Sequence, residues 1–230
     1  MKKLVLTTAL FITFISVYSQ DRFLQDNVYK PTLIPEAREL YNEGTTALEN
    51  KKYTIAIQKL RKVISLDPNF TDSYDNIAIC FRRTNQLDSA IFYYNKSLKL
   101  YPKNRLAINN LGVAYIQNNQ FDKAEETYKK SLELNSNSIE TDEAEIEFNG
   151  EPYYGLCRTY FYQKKYELAI VNGSQAYELW KVKLPLYASD ALYLIGLSYI
   201  KKGDKSNGLF YIKKAAKMGN NDAKDYLKSP

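Results

Sequence analysis

From residue 37 onward, stretches in which apolar residues recur every three or four positions alternate with short polar breaks. Ile108, Leu111, Ala114 and Tyr115 keep the helical step, Gln117-Asn118-Asn119-Gln120 interrupts it, and Phe121 and Ala124 resume it. This predicts a helix, a polar turn and a second helix. The layout recurs at 34-residue steps: Gly44, Ala78 and Gly112; Ala56, Ala90 and Ala124; Leu66, Leu100 and Leu134; Pro68 and Pro102, with Ser136 at the third place. Asparagine keeps the same step, at Asn42, Asn76 and Asn110.

Each column has a physical use. A small residue in the middle of the first helix faces a small alanine on the second, so the two approach closely. Leu60, Tyr94 and Tyr128, with Ile64, Leu98 and Leu132, fill the space around them. Asp67-Pro68 and Tyr101-Pro102 end the second helices, because proline cannot continue a helix and restricts the residue before it. A lone helix pair leaves one apolar face open, so successive pairs must stack.

The pattern resembles the tetratricopeptide repeat family. Unit one, 37–70, carries Leu40, Gly44, Ala47, Ala56 and Pro68; unit two, 71–104, carries Tyr74, Ala78, Phe81, Ala90 and Pro102; unit three, 105–138, carries Leu111, Gly112, Tyr115, Ala124 and Tyr128. Unit four, 150–183, fits through Leu156, Cys157, Tyr160, Ala169 and Ala176, after an acidic insertion at 139–149. Unit five, 189–222, fits through Leu192, Ile195, Gly196, Tyr199 and Ala215, with Gly208 in place of alanine. The stretch Lys181–Ala188 between these two is also lengthened. "YIKKAAKMGNNDAKDYL" is similar, too, to a related α-solenoid family with longer connections. The resemblance implies an all-α, right-handed α-solenoid of about five helix-turn-helix repeats over residues 37–228, closed by a capping helix near 220–227.

Composition adds an address. Met1-Lys2-Lys3 followed by the uncharged, mostly apolar run Leu4–Val17 and then Val17-Tyr18-Ser19 reads as a secretory signal ending at residue 19. The run is short for a membrane span, which takes about 20 apolar residues; an uncleaved anchor is the alternative. The expected protein is therefore exported, periplasmic or secreted, with an extended leader at 20–36 limited by Pro31 and Pro35. Cys80 and Cys157 fall on helices two units apart, too far for a disulfide at roughly 8–10 Å per packed helix, and are expected as buried free thiols. A net charge of +6, spread among interspersed lysines and acids, does not suggest nucleic-acid binding.

In the family resembled, first helices line a concave groove. That mapping puts Tyr41, Asn42, Asp75, Asn76, Arg82, Asn109 and Asn110 on one wall, continued by Tyr154, Arg158, Phe161 and Tyr162. A primary amide offers two donors and an acceptor, so a ladder of Asn42, Asn76 and Asn110 can pair with the backbone of an extended peptide whatever its sequence. The competing reading is that each asparagine bonds a neighbouring helix. The column lapses at Gly155 and Leu194. Tyr154, Arg158 and Tyr162 lie four apart on one face and bring hot-spot residue types; packing between helices is the other use of such rings. The positions at which some relatives clamp a C-terminal carboxylate hold Tyr41, Thr45, Asn76, Leu106 and Asn110, which lack the cations.

The chain has no histidine, no phosphate-cradling glycine loop and no nucleophile elbow, so no enzyme, cofactor or metal is expected. The acidic insertion, with Glu140, Asp142, Glu143, Glu145 and Glu147, misses the spacing of a calcium loop and is expected as a solvated loop or a helix extension. The function expected is a non-catalytic protein- or peptide-binding scaffold of the cell envelope. The alternative is a permanent structural subunit of an envelope or secretion complex.

Overall fold

The computed structural model describes residues 32, 34–134 and 143–228. The expected signal at 1–19, residues 20–31 and 33 of the expected leader, and the start of the acidic insertion through Asp142 lie outside the described residues. Among these residues the helices are α1 (Pro35–Glu49), α2 (Tyr53–Leu66), α3 (Thr71–Arg83), α4 (Leu87–Leu100), α5 (Arg105–Gln117), α6 (Phe121–Glu133), α7 (Glu143–Tyr162), α8 (Tyr166–Trp180), α9 (Pro185–Lys202), α10 (Lys205–Lys217) and α11 (Asn221–Lys228). Each helix packs on the next, and α1, α3, α5, α7 and α9 also touch in sequence, which makes an all-α solenoid with a wall of first helices.

Within each pair the polar break has one backbone solution. Lys51, Asn85, Asn119 and Lys164 adopt φ of 59°, 59°, 56° and 60°, and Gly203 adopts 98°. The amide of the following residue then reaches back over the helix end: Lys52 to Ala47 O (2.8 Å), Gln86 to Phe81 O (2.8 Å), Gln120 to Tyr115 O (2.9 Å), Lys165 to Tyr160 O (2.8 Å) and Asp204 to Tyr199 O (2.9 Å). This left-handed cap satisfies carbonyls that the helix end leaves without partners. Between pairs, the residues before the prolines, Asp67 and Tyr101, share φ −132° and ψ 87° and stop α2 and α4.

The helices of a pair meet where one side is small. A Cβ on Gly44 would lie 2.9 Å from Leu60 Cγ, one on Gly112 2.5 Å from Tyr128 Cζ, and one on Gly196 2.6 Å from Ile212 Cγ1. The fourth pair reverses the arrangement, since Cys157 is on the first helix and Gly173, on the second, would place a Cβ 2.9 Å from its Sγ. Cys80 and Cys157 are free and buried. Burial pushes the Cys80 thiol up to about 11 and the Cys157 thiol higher still.

One boundary differs from the sequence reading, and at a second the structure takes one of the two expected forms. Pro35 starts α1 rather than limiting helix, because the first turn needs no N–H from it. The inserted residues from Glu143 onward are a helix extension: α7 runs unbroken through Pro152 into the fourth unit. Trp180 holds this extension, donating from Nε1 to Ile146 O at 3.1 Å, and Arg105 Nη2 donates to Asn149 Oδ1 at 2.8 Å. At the other end α11 covers the last pair with buried Ala223 and with Tyr226 against Tyr193.

Candidate ligand-binding groove

The wall of first helices displays side chains at the pitch of the repeat, and the three asparagines of the column meet three different settings. Asn42 is exposed and lines an open depression of about 730 Å³ over the α1–α2 end, with Arg38, Glu39, Glu43 and Ile55 among its neighbours. Asn76 is half-buried and donates from Nδ2 to the Tyr41 hydroxyl at 3.1 Å. Asn110 is half-buried and accepts at Oδ1 from Arg82 Nη2 at 3.5 Å. Asn76 and Asn110 thus each spend one function on the preceding first helix. Their remaining amide atoms have no partner among the described residues.

One position earlier the wall turns inward. Asp75 and Asn109, mapped by sequence to the groove face, are only 7% and 5% exposed. Asn109 Oδ1 accepts from Ser131 at 2.8 Å. Asp75 Oδ2 accepts from Asn104 Nδ2 at 2.8 Å, while Oδ1 has no partner and Ser97 lies beside it outside good hydrogen-bond geometry. Burial, the dominant effect, raises the Asp75 carboxyl to about 7; the Asp72 charge adds to this, and Ser97 and Asn104 oppose it. Asn104 also caps α5, accepting from Ala107 N at 3.1 Å, so one side chain joins a helix start to the buried carboxyl.

Sequence reading missed a covariation inside the chain. Residues 22 apart pair across the two helices of each unit: Tyr41 with Val63, Asp75 with Ser97, Asn109 with Ser131, Tyr154 with Ala176 and Tyr193 with Ala215. Where the first is Asp or Asn, the second is Ser; where the first is Tyr, it is apolar. The signal was present at that spacing, beside the more conspicuous 34-residue one.

The aromatic strip is divided by the fold. Tyr154 packs edge-on against Trp180 at 5.7 Å, and burial raises its hydroxyl pKa strongly. Tyr162, 52% exposed, stacks on Phe121 at 5.7 Å with an 11° interplanar angle. Arg158 lies over the Tyr154 ring at 6.0 Å. Among the described residues no group of three or more His, Cys, Asp or Glu is placed to hold a metal ion, and no helix is long and apolar enough to cross a membrane.

Models of the tetratricopeptide repeat match residues 71–104, 106–138 and 189–222. Solved structures with the same fold include MamA residues 41 to the end from Desulfovibrio magneticus RS-1 (16% identity, covering 86% of this chain and 100% of that one, TM-score 0.67). Pseudomonas aeruginosa pilF is similar too (19% identity, 84% and 80% covered, TM-score 0.66), as is apo RapI (16% identity, 84% and 73%, TM-score 0.72). At these identities the likeness is one of fold. No curated protein sequence matches the chain.

Proposed function

The chain is a tetratricopeptide-repeat protein, and from that premise we propose that it is a non-catalytic scaffold of the cell envelope that holds a protein or extended peptide along its wall of first helices. The observation that carries this reading is the geometry of Asn76 and Asn110. Asn76 is held by the preceding first helix through a 3.1 Å bond and Asn110 is contacted more loosely at 3.5 Å, and each keeps donor or acceptor capacity on a half-buried surface. The two uses considered for the ladder are then complementary: the interhelical bond orients what the ligand uses. Little ordering remains to be done on binding, so less of the contact energy is lost. The N-terminal sequence pattern supports the envelope address.

A photocrosslinking residue at position 110, used in cells and followed by mass spectrometry, tests the reading. One discrete partner, lost when the crosslinker is moved to the exposed Phe92 on α4, supports a groove ligand. Crosslinks to nothing, or to this chain alone, overturn it. The depression around Asn42 favours a second reading, a permanent structural subunit whose neighbour is seated at the α1 end. Crosslinks there to one constitutive complex, with none from position 110, distinguish it.

A further inference from the structure

The lysines and acids interspersed along the chain do not balance everywhere. Residues 164–217, which hold α8, α9 and α10, contain ten lysines and four acids, Glu167, Glu178, Asp190 and Asp204. That excess of six equals the net charge of the whole chain, so the remaining residues balance to zero. The same segment, under a third of the described residues, carries seven of their fourteen exposed large apolar side chains. Lysines and exposed apolar groups thus share one part of the fold, which the ordinary scatter of single apolar residues over a surface does not explain.

On α8 the apolar residues form a stripe. Leu168, Val171, Leu179 and Val182 are exposed and follow helical spacing, with exposed Gln175 at the middle of the run. Val182 keeps this register past the last residue of α8, because Lys181 N donates to Tyr177 O at 2.9 Å and Leu184 N to Trp180 O at 2.8 Å. Trp180, on the opposite side, is fully buried and ties the helix to the α7 extension, which holds the stripe outward. In the next unit Phe210 takes the place of Val171, each two residues after a small buried residue, Gly208 and Ala169. Both are more than half exposed, at 61% and 57%, so the outward apolar face continues from α8 to α10.

Lysines surround these residues. Lys164 stands at the turn before α8 and Lys183 follows Val182, so each end of the stripe has a cation. Lys205 opens α10, and Lys213 and Lys217 share the Phe210 face at helical spacing. All five are exposed, and none has a carboxylate within ion-pair distance among the described residues. The acids of the segment are engaged: Glu167 by Lys202 at 3.1 Å, Glu178 by Lys181, Asp190 by Asn220 and Asp204 by the start of α10.

We propose that the outer face of α8 and α10 rests on an anionic lipid surface, with Leu168, Val171, Leu179, Val182 and Phe210 entering the headgroup layer and the surrounding lysines meeting lipid phosphates. Long lysine stems lie along apolar surface while their ammonium groups stay in the polar layer. Binding of this kind adds burial of apolar area to the attraction between cations and anionic lipid. It needs no spanning helix, and among the described residues no helix is long and apolar enough to be one. A second copy is a poorer occupant, because self-pairing would set the unpaired lysines against their own images. The wall of first helices lies on the other side of each pair and stays open, so the inference stands independently of the groove reading.

The test uses the exported chain with a nitrobenzoxadiazole label on Gln175→Cys; Cys80 and Cys157 are buried and leave the new thiol to react. A second preparation carries the label on Asn42→Cys, at the exposed α1 end. Each is titrated with vesicles of phosphatidylcholine alone and of phosphatidylcholine with one-third phosphatidylglycerol. The expected result is a rise and blue shift of emission at position 175, at lipid concentrations at least about tenfold lower with phosphatidylglycerol, and no change at position 42. Phe210→Ser or Val182→Ser should raise the midpoint about threefold. Lys213→Gln with Lys217→Gln should raise it about tenfold, with a shallower salt dependence. These side chains are exposed, so the variants should melt at the native temperature. Equal responses to the two vesicles, equal responses at the two labels, no response, or midpoints indifferent to all the substitutions each overturn the proposal. A response at position 175 that grows with protein concentration before lipid is added assigns the face to a second copy and also overturns it. The crosslink from position 110 judges the groove reading separately, so failure of one leaves the other standing.

Discussion

The Tyr128 ring occupies the space that a side chain at Gly155 would need: a Cβ there would come within 2.2 Å of Tyr128 Cζ. Gly155 is the fourth member of the column that begins Asn42, Asn76, Asn110. The asparagine ladder stops in the fourth unit because the second helix of the third unit sends a large ring into that place. Gly155→Asn, which would extend the column, is expected to destabilise the protein by about 2–3 kcal/mol through overpacking, with Gly155→Ala slightly milder. Urea unfolding measures it. An unchanged midpoint would mean that the buried ring can move aside.

Stability depends on pH through Asp75. Its folded-state pKa of about 7 stands above the ordinary carboxyl value of 3.8, so between these values the folded state binds the proton more tightly. Stability from this group is therefore greatest below pH 4, falls as pH rises toward 7, and is flat above. The span is on the order of 2–4 kcal/mol by linkage. Asp75→Asn removes the dependence and gains most over the native chain at pH 8. Thermal melts at several pH values read the difference, and parallel curves for the two proteins would refute the assignment.

The left-handed turn residues give a prediction of the opposite sign. Lys164 at φ 60° and Lys51 at φ 59° sit where side chains are strained, and the fifth unit uses Gly203 instead. Lys164→Gly is expected to stabilise by about 0.5–1 kcal/mol, the relief of strain exceeding the entropy that glycine loses. A lower melting temperature would count against it.

Asn76→Ala combined with Asn110→Ala separates binding from packing. The hydrogen bond to Tyr41 is worth about 1 kcal/mol and the 3.5 Å contact from Arg82 less, so the double variant loses up to about 2 kcal/mol and remains folded. Affinity for the partner identified by crosslinking should fall more than tenfold. If stability drops and affinity does not, the asparagines serve only the stacking of helices.

The exported form should begin near Gln20. Intact-mass measurement on protein recovered from an exporting cell checks this, and an intact Met1 would indicate a retained anchor.

Much of the fold is legible along the chain because every unit solves the same packing problem at the same place. Gly44, Ala78 and Gly112 are small since Leu60, Tyr94 and Tyr128 approach them from the second helix, and that demand writes a 34-residue period into the sequence. The site is legible only in outline. Spacing shows that Asp75, Asn76, Asn109 and Asn110 lie near one face, yet adjacent residues on a helix point about 100° apart. Asn76 and Asn110 stay half-buried at the wall while Asp75 and Asn109 turn into the interior. How far each helix is rotated against its neighbours settles that difference. The rotation depends on side chains from elsewhere in the chain, such as Ser131 on Asn109 and Tyr128 beneath Gly155.

The sequence by itself determined the repeat, the helix ends at Asp67 and Tyr101, the small-to-large pairing inside each unit and the absence of histidine chemistry, because these are local or periodic properties. Only the tertiary structure decided that Pro35 opens a helix, that residues 143–149 extend α7 under the hold of Trp180, and that Asp75 and Asn109 turn inward beside the half-buried Asn76 and Asn110. Those outcomes depend on contacts between distant segments, whose free energies are set by shape and burial in three dimensions and leave no period along the chain.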